Sequence, residues 1–176
     1  MLLMMVFPLT MLAQQTWYVT PTGVGTGTGS WGNASSDLQA VINASAEGDE
    51  IWVAAGTYTP TQKPADFLKD GTTPTTARDQ AFILKPGVKT YGGFAGTEGS
   101  VNDRAAKDPI TAAMQNETIL SGDLGTDGKA YHVIVGYIPS ATTALTVLDG
   151  FTIKDGLADG AATEIINIGG DIQRNQ

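Results

Sequence analysis

Short apolar, β-prone runs punctuate this chain between long polar stretches: Trp17 to Val19, Ile51 to Ala54, Ala81 to Leu84, Val88 to Phe94, Thr118 to Leu120, Tyr131 to Val135 and Leu145 to Ile153. Their β-branched and aromatic content predicts strands. Runs such as Val133, Ile134 and Val135 are apolar without strict alternation, which suits parallel strands stacked on neighbours. Lys85, Pro86 and Gly87 read as a tight turn, but most connections, among them Thr57 to Gln80 and Ala95 to Glu117, are much longer. Such lengths disfavour a meander of two-residue hairpins.

One segment has a different period. Leu38, Val41 and Ile42 share one face of a helix over Ser36 to Ala44, with Ser36 and Gln39 spaced as a capping box and Gly48 placed to end it. Its single apolar stripe requires another surface to lie against. Short strands joined by variable loops predict a solenoid, although no fixed period is present and periodicity by itself leaves a β-sandwich open.

The first residues point to export. Met1 to Ala13 is uncharged and apolar, and polarity begins at Gln14, as in the apolar region and cleavage site of a signal peptide. No Lys or Arg precedes the run, and Met11 stands where a small residue is preferred. As a helix it would reach about 20 Å, short of the roughly 30 Å hydrocarbon core, so no stable membrane span is expected. Residues 14–176 are then expected to be the N-terminal part of one domain, secreted or held at the cell surface. Glycine contributes 22 of 176 residues and charged residues only 16%, which favours tight turns and short strands over long solvated helices. The net charge of −8 repels nucleic acid, so no nucleic-acid partner is expected. The absence of cysteine excludes disulfides, thiolate metal sites and Cys nucleophiles.

The segments TWYVTPTG, SWGNASSDLQAVINASAEGDEIWVAAGTYTP, FILKPGVKTYGGFAGTE, TILSGD and TVLDGFTIKDG occur in that order. Together they resemble the N-terminal region of the right-handed parallel β-helix proteins exported by Bacteroidetes-type bacteria, relatives in fold of pectate lyases and of chlamydial polymorphic outer-membrane proteins. The resemblance covers most of Thr16 to Gly160. It implies an all-β, right-handed parallel β-helix whose open apolar end is capped by the amphipathic helix. It also implies that Gly92 and Gly93 mark a close-packed strand end, that Asp149, Gly150 and Phe151 form a rung with its turn, and that further coils follow Gln176.

No catalytic residues are expected. His132 lies in the apolar run Tyr131 to Val135 without a nucleophile elbow. Asp149 and Asp155 flank a strand and would stand up to about 20 Å apart, too far for a glycosidase pair. Asp123 and Asp127, in the glycine-rich loop GDLGTDGK, are the candidate ligands for Ca²⁺, an ion that takes oxygen donors; ordinary Asp-Gly turns are the alternative. Trp31 and Trp52 are the candidates for stacking on sugar rings, with Trp31 the exposed one and Trp52 expected in the core. Sequons at Asn33, Asn43 and Asn116 carry no weight in a bacterial chain. The function expected is a surface scaffold in adhesion or contact with a polysaccharide or cell-surface glycan. The alternative is a polysaccharide lyase or glycoside hydrolase with its active site in downstream coils; Arg78 and Arg104 lie in long loops without a matching acidic cluster.

Overall fold

The computed structural model describes residues 13–63, 67–68, 76–105, 107, 114–136, 138–160, 165–168 and 171–174. The expected signal peptide therefore lies, apart from Ala13, outside the described residues. In chain order the elements are β1 (Thr16–Val19), α1 (Leu38–Ala44), β2 (Glu50–Ala54), β3 (Gly56–Tyr58), β4 (Phe67–Leu68), β5 (Phe82–Leu84), β6 (Lys89–Phe94), β7 (Thr118–Ser121), β8 (Ile134–Gly136), β9 (Val147–Asp149), β10 (Phe151–Lys154), β11 (Ile165–Ile168) and β12 (Asp171–Arg174). Four strands pair in the order β1-β2-β6-β9, three as β3-β7-β10 and two as β5-β8, every pair parallel. A fourth sheet, β4-β11-β12, is antiparallel.

Register aligns the inward-facing positions of successive strands. Trp17, Ile51, Thr90 and Leu148 form one inward column of the four-stranded sheet. Tyr58, Leu120 and Ile153 form another in the three-stranded sheet. Val19, Ile51, Val53, Tyr58, Phe82, Val88, Leu120 and Val133 meet between the sheets, and Leu38, Val41 and Ile42 of α1 complete this core. Each such side chain stabilises the fold by about 1.5–3 kcal/mol when fully buried.

The all-β, right-handed parallel β-helix expected from the sequence is not what forms. The chain is an α/β-like mix of parallel sheets and one packed helix, with no closed solenoid among the described residues. A closed coil needs an equivalent rung on every side, whereas these sheets hold four, three and two strands and a fourth sheet runs antiparallel. At one edge a helix replaces the missing strand. The Gln39 side chain of α1 is buried, accepts the Ile83 N–H at 2.8 Å and donates to the Ile83 carbonyl at 3.4 Å. Its amide thus occupies the edge of β5 as a strand backbone would.

The capping box is also corrected. Asp37, not Ser36, caps α1 by accepting the Ala40 N–H at 2.9 Å, and Ser45 ends the helix ahead of Gly48. Gln39 is therefore free for β5. The turn at Lys85 to Val88 closes as expected, with the Val88 N–H on the Lys85 carbonyl at 3.2 Å. The run from Leu145 to Ile153 divides into β9 and β10 at Gly150, whose φ of +82° favours glycine. Gly150 also lies against Gly92: a Cβ on either would sit 2.5–2.6 Å from the other's carbonyl oxygen. The two corners between sheets can stack only without side chains.

Candidate functional site

The outer face of the four-stranded sheet carries a cluster of aromatic rings. Because successive strand residues point to opposite faces, the register that turns Trp17 and Ile51 inward turns Tyr18, Trp52, Tyr91 and Asp149 outward as one row. Phe94, at the end of β6, stacks on Trp52 with centroids 5.0 Å apart and planes 12° from parallel. Over these rings the glycine-rich loop places Trp31, edge-on to Tyr18 at 5.0 Å, 5.5 Å from Phe94 and 6.5 Å from Trp52. Aromatic pairs in such geometry are worth about 0.5–1.5 kcal/mol beyond the area they bury. Trp52 is 6% exposed and Trp31 is half-buried. The two candidate tryptophans, separated along the chain by the whole of α1, thus belong to one cluster.

Polar groups hold the cluster in place. The Trp52 Nε1–H donates to Glu50 at 3.2 Å, and Glu50 pairs with Lys89 at 3.3 Å. The Trp31 Nε1–H donates to the Glu98 carbonyl at 2.9 Å. Glu98 is itself locked: its carboxylate accepts the N–H groups of Ala95, Gly96 and Thr97 at 2.6–2.9 Å. Burial raises the pKa of this carboxyl, but the backbone donors outweigh burial and hold it below the ordinary carboxylate value. Arg104 closes the far side, bonding Asp149 at 2.9 Å, the Gly92 carbonyl at 2.9 Å and the Val101 carbonyl at 3.0 Å. Its guanidinium lies 5.3 Å from the Tyr91 ring and 5.6 Å from Phe94, within cation–π range. Beside it opens a cleft of about 260 Å³ lined by Val101, Asn102, Ala105, Lys107 and Met114.

The remaining candidates are dispersed. Asp123 and Asp127 are both exposed; Asp127 is the last residue of a single 3-10 turn, Gly125–Asp127, and Asp123 lies two residues before it. Asp123 accepts the Gly125 N–H at 3.0 Å and bridges in backbone to Lys129. Among the described residues no group of three or more His, Cys, Asp or Glu side chains is placed to hold a metal ion. Asp149 and Asp155 do not converge: the first pairs with Arg104 and the second with Lys129 at 3.3 Å. Arg78 pairs with Asp159, bonds the Lys129 and Leu157 carbonyls and covers the Tyr131 ring at 4.1 Å. His132 is half-buried and follows Tyr131 in sequence.

Two organising carboxylates went unread in the sequence. Glu98 follows three small residues whose N–H groups can all reach it, a pattern that could have signalled it. Asp49 gathers the Gln15 N–H, the Trp17 indole N–H and the Ala46 N–H at 2.8–2.9 Å. Burial raises its pKa, and these bonds together with Lys85 outweigh burial and hold it low. Its partners lie up to 34 residues away, beyond any local signal. No helix among the described residues is long and apolar enough to cross a membrane. Compared with known proteins, the chain matches no family model, no curated protein and no solved structure.

Proposed function

We propose that this chain is an exported or cell-surface scaffold that contacts glycan through the rim of its aromatic face. The observation that carries this reading is Trp31: a half-buried indole held over Tyr18, Trp52 and Phe94, with its N–H already on Glu98. An indole whose polar handle is satisfied within the protein can present its remaining surface to a sugar ring with little loss of freedom on binding. The neighbouring cleft, with Arg104 and Lys107 on its walls, offers donors for hydroxyl or carboxylate groups of a saccharide. The acidic net charge supports a partner other than nucleic acid. The apolar start of the chain supports export.

Titration with neutral and acidic polysaccharides, with and without Ca²⁺, tests the proposal through tryptophan fluorescence and calorimetry. Binding that weakens about tenfold or more in Trp31→Ala, and less in Trp31→Phe, is expected from one lost stacking contact. Binding that is unchanged in Trp31→Ala places the contact elsewhere, and saccharides that leave the fluorescence and heat signals flat remove the glycan reading. Product formation from any of these polysaccharides would instead establish an enzyme.

A further inference from the structure

We infer that export leaves Gln14 as the first residue and that it then closes into a pyroglutamyl ring; this rests on the export reading above. Among the described residues Gln15 is the first engaged on both sides: its N–H donates to Asp49 at 2.9 Å, and its carbonyl accepts the Glu50 N–H at 2.9 Å. Strand β1 begins at the next residue and pairs with β2 from Thr16 onward. The same Asp49 carboxylate also holds the Trp17 indole and the Ala46 N–H, so Gln15 is clamped from the folded side. Ala13 and Gln14 are exposed. Cleavage between them removes none of these bonds, whereas cleavage one residue later would turn the Gln15 amide into a chain end at the clamp.

The residue exposed by that cut has one spontaneous reaction available. The free α-amino nitrogen of an N-terminal glutamine can attack its own side-chain amide carbon. A five-membered lactam forms, the Cδ–Nε2 bond breaks, and the side-chain nitrogen departs as ammonia, taking up the proton that the amine loses. No oxidant or co-substrate is required. The geometry favours the step because Gln14 is solvent-exposed, leaving amine and side chain free to meet, while the clamp on Gln15 keeps the following peptide in place. The ring removes a terminal positive charge and blocks attack by aminopeptidases.

The full chain, expressed with its own first residues in a Gram-negative host and recovered from the exported fraction, provides the test. Intact mass and N-terminal amine labelling are read before and after treatment with a glutaminyl cyclase, alongside Gln14→Ala. The expected product spans residues 14–176, is lighter by one ammonia and resists amine labelling, while Gln14→Ala keeps the full mass and is labelled. A product that begins at Gln14 but stays labelled after cyclase treatment overturns the ring closure. An exported product beginning elsewhere overturns the cleavage site. Retention of Met1 inside the cell removes the export reading itself, a result distinct from both.

Discussion

The two ends of the parallel sheets differ in how their last strands are finished. At the β1 end, the edge is covered: loop residues pair with Trp17, Val19 and Tyr18, and the Gln39 amide fills the edge of β5. At the other end, β8, β9 and β10 are the outermost strands of their sheets. The Tyr58, Leu120 and Ile153 column shows the result, since Leu120 is 1% exposed and Ile153 is 53% exposed one strand later. Ile138, Leu145 and Leu157 are exposed near the same strands. An inward-facing position is buried by the layer beyond it, not by its own sequence, so the same column yields core at one strand and surface at the next.

Substitutions can break this contrast, and the largest effect belongs to the aromatic face that is already complete. Trp52→Ala should destabilise by about 3–5 kcal/mol, the usual cost of removing a buried large aromatic, as read by denaturant unfolding. A loss under about 1 kcal/mol would mean that Trp31 and Phe94 close over the gap. Within the column, Leu120→Ala should cost about 2–5 kcal/mol, and Ile153→Ala should stay below about 1 kcal/mol. Equal costs would show that Ile153 is covered in solution.

The helix-made edge is next in size. Gln39→Ala leaves both Ile83 backbone groups without this partner, so a loss of about 1–3 kcal/mol is expected, together with faster hydrogen exchange at the Ile83 amide. Unchanged exchange there would show that water or another group serves the edge as well as Gln39. Acid should act on the covered end too. Asp49 and Glu98 are held below their ordinary values of 3.8 and 4.5, so the unfolded chain takes up protons that the folded chain refuses. Their contribution is complete above that window and is lost as pH falls through the lower folded values. Urea midpoints measured from neutral pH down to about pH 3 should decline, and less steeply in Asp49→Asn; parallel profiles would remove Asp49 as a source. The smallest effect is expected from Ca²⁺: with Asp123 engaged in its own turn, the melting temperature should rise slightly at most. A large rise abolished by Asp127→Asn would establish a site there.

Much of the local structure was legible in the sequence. The runs around Ile51, Phe82, Tyr91, Leu120 and Ile134 all contain strands, and Leu38, Val41 and Ile42 are the buried face of the helix. Periodicity and turn chemistry act over a few residues, and that is the range a pattern reports. Strand β3 carries no such signal because it has only three residues, Gly56, Thr57 and Tyr58, and one of them is glycine, too short a run to carry a period. The role of Gln39 was misread for a related reason: a capping box is a local motif, whereas the bond to Ile83 spans 44 residues.

The positions of the β-prone runs, and the single amphipathic helix that interrupts them, could be read from the order of residues along the chain. The arrangement of those pieces is visible only in the folded chain: unequal parallel sheets with an antiparallel fourth in place of a closed coil, Trp31 and Trp52 in one cluster, and acidic residues divided among separate basic partners. The physical reason is range. Propensity and hydrophobic period are set by neighbours along the chain, while edge coverage and ion pairing join residues such as Gln39 and Ile83, 44 positions apart, or Arg104 and Asp149, 45 apart, which meet only once the sheets have paired.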